Sequence, residues 1–270
     1  MDAMSFETMS VAVGSATDVG AVRELNEDAV LTVPPIYAVA DGMGGHAAGE
    51  VAAALALEQL APLAGREHVH PADVLARIDQ ANATILACAA ERADAAGMGT
   101  TLTGVCLGEV AGSPHWIVFN VGDSRVYSYA DDALVQVTTD HSEIEELLQA
   151  GKVTPEQARH HPLRNVVTRS LGSHPAPVPD IWVLPARTGD RFVLCSDGLS
   201  NEVDDAELAS VLADRRSPQA TADELVARAV HAGGRDNVSV VIVEVSAAGG
   251  SDEIDVSTAP RAQFANGGGA

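Results

Sequence analysis

The sequence predicts an α+β fold built around antiparallel sheet, and three observations carry that prediction. Four short apolar strands follow one another at 101–107, 116–121, 125–129 and 134–137, joined by turn-like links (GSPH, GDS, DD) that suit an antiparallel meander. Two long Ala-rich helical stretches stand before them. Two further helices and a last strand, apolar on both faces and so expected to be central, stand after them.

In chain order, strands are expected at 11–17, 29–33 and 37–40. From 47 to 64 the pattern turns helical, with Val51, Leu55, Leu57 and Leu60 on one broad face. A second helix spans 71–96, with Pro71 at its first position and an apolar stripe of Val74, Leu75, Ile78, Ile85 and Leu86. After the meander, residues 141–172 break the rhythm. Ser142 with Glu145, and Thr154 with Gln157, have capping-box spacing, so two short helices are expected in a His- and Arg-rich surface flap. Strands return at 180–184 and 191–195, helices at 204–213 and 218–232 (capped by Ser217), and the last strand at 238–245. Residues 1–8 read as a flexible N-terminus, 9–245 as one catalytic domain, and the Gly-, Ala- and acid-rich stretch 246–270 as a disordered tail.

Composition bounds the function. The chain has 270 residues, 46% hydrophobic, enough for a real core, and only 3% aromatic, so Ala, Val, Leu and Ile must fill it. A net charge of −22 repels nucleic acid and anionic membrane, and both are set aside as partners. Cys88, Cys106 and Cys195 form no C-x-x-C pair or even framework, which points to reduced thiols in a cytoplasmic protein. The N-terminus lacks the features of a signal peptide, and no run of eighteen apolar residues could span a bilayer.

The chemistry gathers where acids meet strands. IYAVADGMGGHAAGE, residues 36–50, ends an apolar strand on Asp41, then brings Gly42, Gly44, Gly45 and Gly49. WIVFNVGDSR places Asp123 after a strand and a glycine, and RFVLCSDG does the same for Asp197. GGRDNVSVVIVEV puts Asp236 just before a strand, and AVRELNEDAVLTV puts Glu27 and Asp28 before another. Each Asp-Gly alone is first of all a turn signal. Several carboxylates meeting at neighbouring strand ends would repel one another, and a divalent cation is the usual compensation. Oxygen-only donors point to Mg²⁺ or Mn²⁺; zinc and calcium lack their motifs here. Arg23, four residues before Glu27, has the fork that matches two phosphate oxygens.

These residues resemble the metal-dependent serine/threonine phosphatases of the protein phosphatase 2C family, in its bacterial branch. The resemblance runs in order through RELNEDA (23–29), VADGMGGHAAGEVAA (39–53), GMGTTLT (97–103), VGDSRVY (121–127), LLQAGKVTPEQA (147–158), NVVTRSLG (165–172), LCSDGLS (194–200) and GGRDNVSVVIV (233–243). It implies a four-layer αββα sandwich: two antiparallel sheets packed face to face, flanked by helix pairs, with 141–172 as a flap over the site. It implies that Asp41 bridges two Mn²⁺ or Mg²⁺ ions, that Glu27 and the Gly42 carbonyl hold one, and that Asp197 and Asp236 hold the other. Asp123 would help Asp197 hold a weaker third ion, and Arg23 would bind the substrate phosphate. Metal-activated water would then attack the phosphoryl group of phosphoserine or phosphothreonine, with no phosphoenzyme. The implied partners are phosphorylated proteins, such as a serine/threonine kinase or its targets; separately, a monomer is expected. Many eukaryotic members carry a leaving-group His where this chain has Met43; His46 and His141 are nearby histidines, and no general acid is assigned. The rival reading is a weak or inactive relative that binds phosphoproteins as a regulator.

Overall fold

The computed structural model describes residues 9–44 and 48–247. The expected N-terminal segment 1–8, the tail from 248 onward and His46 lie outside the described residues.

Two antiparallel sheets form the body. The first has the order β1 (Met9–Asp18), β11 (Val238–Ala247), β10 (Arg191–Cys195), β7 (Arg125–Ala130), β8 (Ala133–Gln136). The second has the order β2 (Asp28–Val33), β3 (Ile36–Met43), β5 (Leu102–Val110), β6 (Ser113–Val121), β9 (Asp180–Pro185), with β4 (Gly99–Thr100) beside β3. Helices α1 (Ala48–Leu60) and α2 (Pro71–Glu91) cover the second sheet; α6 (Asp205–Ala213) and α7 (Pro218–Ala232) cover the first.

Strand alternation builds the layers. On β3, Ile36, Ala38 and Ala40 face the α1–α2 layer, while Tyr37 and Val39 enter the space between the sheets. On β11, Val238, Val240 and Ile242 meet α6 and α7, while Val241, Val243 and Val245 meet the other sheet. Both faces of β11 are therefore buried, and it lies between β1 and β10, as its two-sided apolar pattern predicts. Trp116 and Phe192 meet edge to face in the middle layer, with ring centroids 5.2 Å apart. The result is the four-layer sandwich.

The single meander is not observed. β5 and β6 form a hairpin in one sheet, and β7 and β8 form a hairpin in the other. The three-residue link Gly122–Asp123–Ser124 crosses between the sheets. Gly122 has φ of +113°, a conformation that L side chains rarely adopt, and a Cβ there would strike Thr101. The GDS link is short enough for a hairpin, but β10 wins the pairing with β7.

The flap carries α3 (Glu143–Gln149) and α4 (Pro155–Ala158), capped by Ser142 and Thr154. Its two ends are pinned together. Thr168 N–H donates to His141 C=O at 2.8 Å, and Glu143 N–H donates to Val166 C=O at 2.9 Å. A one-turn helix, α5 (Asp197–Ser200), follows β10; its length left no periodicity to read.

Antiparallel pairing decides what meets at one end of the sandwich. Asp28 at the start of β2 faces Asp41 near the end of β3. Cys195, the last residue of β10, pairs with Arg125 at the start of β7 and with Val240 near the start of β11. The acids predicted from five separate segments therefore arrive at the same edge.

Candidate active site

Asp41 is fixed through its backbone. Its N–H donates to Thr101 Oγ1 at 3.0 Å, and its carbonyl accepts from Thr101 N–H and Thr100 Oγ1, each at 2.9 Å. Thr101 Oγ1 lies 2.8 Å from Ser124 Oγ, which ties the Asp41 strand to the crossover that carries Asp123. Next to Asp41, Gly42 N–H donates to Glu27 C=O at 3.1 Å, and Gly49 N–H, in the first turn of α1, donates to Glu27 Oε1 at 3.1 Å. Both glycines are needed for contact: a Cβ on Gly42 would strike Gly49 O and Glu27 O, and one on Gly49 would lie 2.7 Å from Glu27 Oε1.

Asn237 is the hub of the opposite side. Its Oδ1 accepts from Glu27 N–H at 2.8 Å, and its Nδ2 donates to the carbonyls of Val19 and Leu25 at 2.9 and 2.8 Å. It thereby holds the loop that carries Arg23 and Glu27 against the start of β11. Arg23 Nη2 donates to Asp236 Oδ2 at 2.7 Å. Asp197 opens α5 and accepts from Asn201 Nδ2 at 3.0 Å.

The seven residues expected to hold metal or phosphate, Arg23, Glu27, Asp41, Gly42, Asp123, Asp197 and Asp236, line one cavity of about 390 Å³; Asp28, the other strand-end acid, does not. Met43, Gly44, Thr101 and Asn237 complete its wall, with Asn165 and Val167 from the flap. The sequence reading missed Asn237, Thr101 and the two flap residues as site components. The "RDN" of GGRDNVS carried the only local signal for Asn237, an amide next to a candidate ligand.

Burial sets the electrostatics. Desolvation, then the charges of Asp28, Asp197, Asp123 and Asp236, holds the Asp41 carboxyl well above the usual carboxylate range. Desolvation first pushes Asp123 up to about 7, helped by Asp197, and Asp197 up to about 6, helped by Asp236. Asp28 is also pushed to about 7 by burial, against hydrogen bonds from Ser196 and Ser239. Ser196 Oγ donates to Asp28 Oδ2 at 2.8 Å, while Asp28 Oδ1 is buried without a partner.

The donor set fits a hard divalent cation. It is all oxygen and carries a surplus of negative charge, and behind it Asp28 keeps a buried carboxylate oxygen without a partner. Among the described residues, no three Asp, Glu, His or Cys side chains already converge on one point as a chelate. The carboxylates ring the basin instead, as mutually repelling groups do, so the fit rests on donor chemistry and placement.

A pH prediction follows from these shifts. Unfolded aspartates ionise near pH 4, whereas Asp28 and Asp123 keep their protons to about pH 7 in the fold. Between those values the folded state binds more protons, so stability of the metal-free protein falls as pH rises. In EDTA, thermal unfolding should occur at higher temperature near pH 5 than near pH 7.5. Mn²⁺ should raise Tm by about 5 °C or more near pH 7.5 and by much less near pH 5. An equal Mn²⁺ effect at both pH values would contradict cation relief of these carboxyls.

His141 is buried beside the site but does not line the cavity. Its Nδ1 accepts from Gly122 N–H at 3.1 Å, and its Nε2 faces Asp180 Oδ2 at 3.2 Å, so both ring nitrogens are engaged. Burial holds its pKa below the usual value. It clamps the flap root to the Asp123 crossover.

Residues 22–231 match the protein phosphatase 2C family, and the chain belongs to that family. It is 39% identical over 246 residues to the serine/threonine protein phosphatase PstP of Mycobacterium tuberculosis, covering 90% of this chain and 46% of that one. The chain thus spans about half the length of PstP. It is 37% identical to the serine/threonine phosphatase stp of Listeria innocua, covering 84% of this chain and 93% of stp. Among solved structures, the catalytic domain of PstP in complex with two manganese ions superposes with a TM-score of 0.81 at 36% identity, covering 88% of this chain and all (100%) of that one. No helix among the described residues is long and apolar enough to cross a membrane.

Proposed function

We propose that this chain is a Mn²⁺- or Mg²⁺-dependent protein serine/threonine phosphatase. One observation carries the reading: seven residues from five distant segments, selected for metal and phosphate chemistry, line a single cavity in a chain of this family. An inactive binding relative would be expected to lack part of that set.

In this reading Asp41, Glu27, the Gly42 carbonyl, Asp197 and Asp236 would together hold two ions, with Asp41 shared between them, and Asp123 with Asp197 would help hold a weaker third. Bound there, the ions supply Lewis acidity to water and to the phosphoryl oxygens. Arg23 contributes a fork for two phosphate oxygens; its bond to Asp236 uses one N–H and keeps the guanidinium at the basin rim. The Asn237 and Thr101 bonds hold Glu27 and Asp41 in fixed relation, so little reorganisation accompanies charge development on phosphorus. Met43 cannot supply a proton to the leaving alkoxide, and the committed ring of His141 does not reach the cavity. No side chain is assigned that role.

Phosphorylated proteins are the proposed substrates, a serine/threonine kinase or its targets among them. The protein is proposed to act as a monomer in the cytoplasm, where the free thiols of Cys88, Cys106 and Cys195 are at home. The test is phosphate release from phosphothreonine and phosphoserine peptides. Turnover is expected in Mn²⁺ and absent in EDTA, and Arg23→Ala should lower kcat/KM on the order of 10²-fold. A folded, Mn²⁺-binding protein that releases no phosphate from either peptide would sink the reading.

A further inference from the structure

We propose that the cleft beside the catalytic basin docks acidic residues flanking the phosphorylated residue, with Arg159 and Arg164 of the flap as its specificity-determining residues. The proposal rests on the phosphatase reading above.

The cleft has a volume of about 780 Å³ and opens directly into the basin, since Arg23, Asp123, Asn165, Asp197 and Asp236 line both. That size is within the range of ligand pockets and leaves room for a few residues beyond the phosphorylated one. The flap forms one wall, with Arg159 and Arg164; α5 and the segment after it form the other, with Glu202 and Asp204.

The charges on these walls are not equally free. Glu202 is gripped by Arg235 through bonds of 2.7 and 2.9 Å. Asp140 is gripped by Arg125, closest at 2.7 Å. Asp204 Oδ1 caps α6 through Glu207 N–H at 2.9 Å, and Glu145 Oε1 accepts from Gln149 at 3.1 Å. Arg159 and Arg164 have no such partner among the described residues, and both are exposed.

That freedom is unusual in this chain. Ten of the fourteen arginines among the described residues pair with a carboxylate; only Arg77, Arg159, Arg164 and Arg187 do not. In a protein of net charge −22, acids abundantly compete for guanidinium groups. Two of the four unclaimed ones stand on the wall of one cleft, next to where the phosphate would sit. A guanidinium fork pairs bidentately with a carboxylate, so an acidic peptide segment is the occupant that satisfies both. The acidic remainder of the surface repels long polyanions, which leaves a short acidic stretch as the matching chemistry.

The experiment compares phosphothreonine peptides with acidic, neutral or basic flanks on either side, in Mn²⁺. The readout is the ratio of kcat/KM between acidic and basic peptides within one protein, which a loss of folded enzyme does not move. Wild type should prefer acidic flanks, mainly through KM. Arg159→Glu with Arg164→Glu should cut that ratio by about tenfold for each arginine, with a smaller effect at high salt. An unchanged ratio in the double variant, or no discrimination by wild type, would overturn the proposal. If no peptide is hydrolysed at all, the phosphatase reading fails, and the same peptides are titrated by fluorescence anisotropy. An acidic preference that disappears in the double variant would then still support the cleft, and equal binding would overturn it.

Discussion

Asp41→Asn should abolish Mn²⁺-dependent phosphate release, with kcat/KM lower on the order of 10³-fold or more, and should make the metal-free protein more stable near pH 8. The two effects have one cause. Asp41 is half-buried in the cavity wall and faces the charges of Asp28, Asp123, Asp197 and Asp236, so its ionised form is disfavoured there. An amide keeps the shape and removes the charge, so the fold gains what the site loses. The gain should shrink toward pH 5, because the raised wild-type carboxyl takes up its proton as the pH falls. Thermal scans in EDTA at the two pH values, beside phosphate release in Mn²⁺, check both halves. A variant that is less stable than wild type at both pH values would show that Asp41 serves packing rather than cation binding.

Gly49→Ala should destabilise the protein by about 2 kcal/mol and lower kcat/KM on the order of 10²-fold. On helix propensity alone the change should help, since Gly49 lies in the first turn of α1 and Ala is the better helix former by about 1 kcal/mol. Space decides otherwise. The added Cβ would lie 2.7 Å from both Glu27 Oε1 and the Gly42 carbonyl carbon, so α1 or Glu27 must shift. Either shift breaks the Gly49 N–H bond that orients the Glu27 carboxylate. Chemical denaturation and steady-state kinetics on the same preparation measure both effects. A stabilised variant with normal activity would mean that the close approach of helix and loop is not required.

The layers and most elements were legible because they depend on local pattern. β11 announced its position through two apolar faces, and Pro71, Ser142, Thr154 and Ser217 marked helix starts where they occur. The site acids were legible for a similar reason: a carboxylate at a glycine turn after a buried run is visible in a few residues. Partner choice over long separations was not. Nothing in GDS says that β7 leaves β6 for β10, because that depends on which strand offers the better pairing far along the chain. Nor could the sequence say that Arg23 would rest on Asp236, 213 residues away, or that Asn237 would hold the loop 19–27 at three points.

The residues of the basin divide between the sheets. Glu27, Asp41 and Gly42 belong to the β2–β3 edge, whereas Asp197 and Asp236 flank β10 and β11. The crossover with Asp123, and the loop 19–27 that leads from β1 to β2, join the sheets by covalent chain at this end. The basin is therefore a gauge of how far one layer has slid over the other. A bulkier or smaller side chain at Tyr37, Trp116 or Phe192, in the plane of sliding, would alter cation affinity without touching a ligand. Ions held across the gap would in turn act as rivets between the layers, stiffening the whole sandwich from one end.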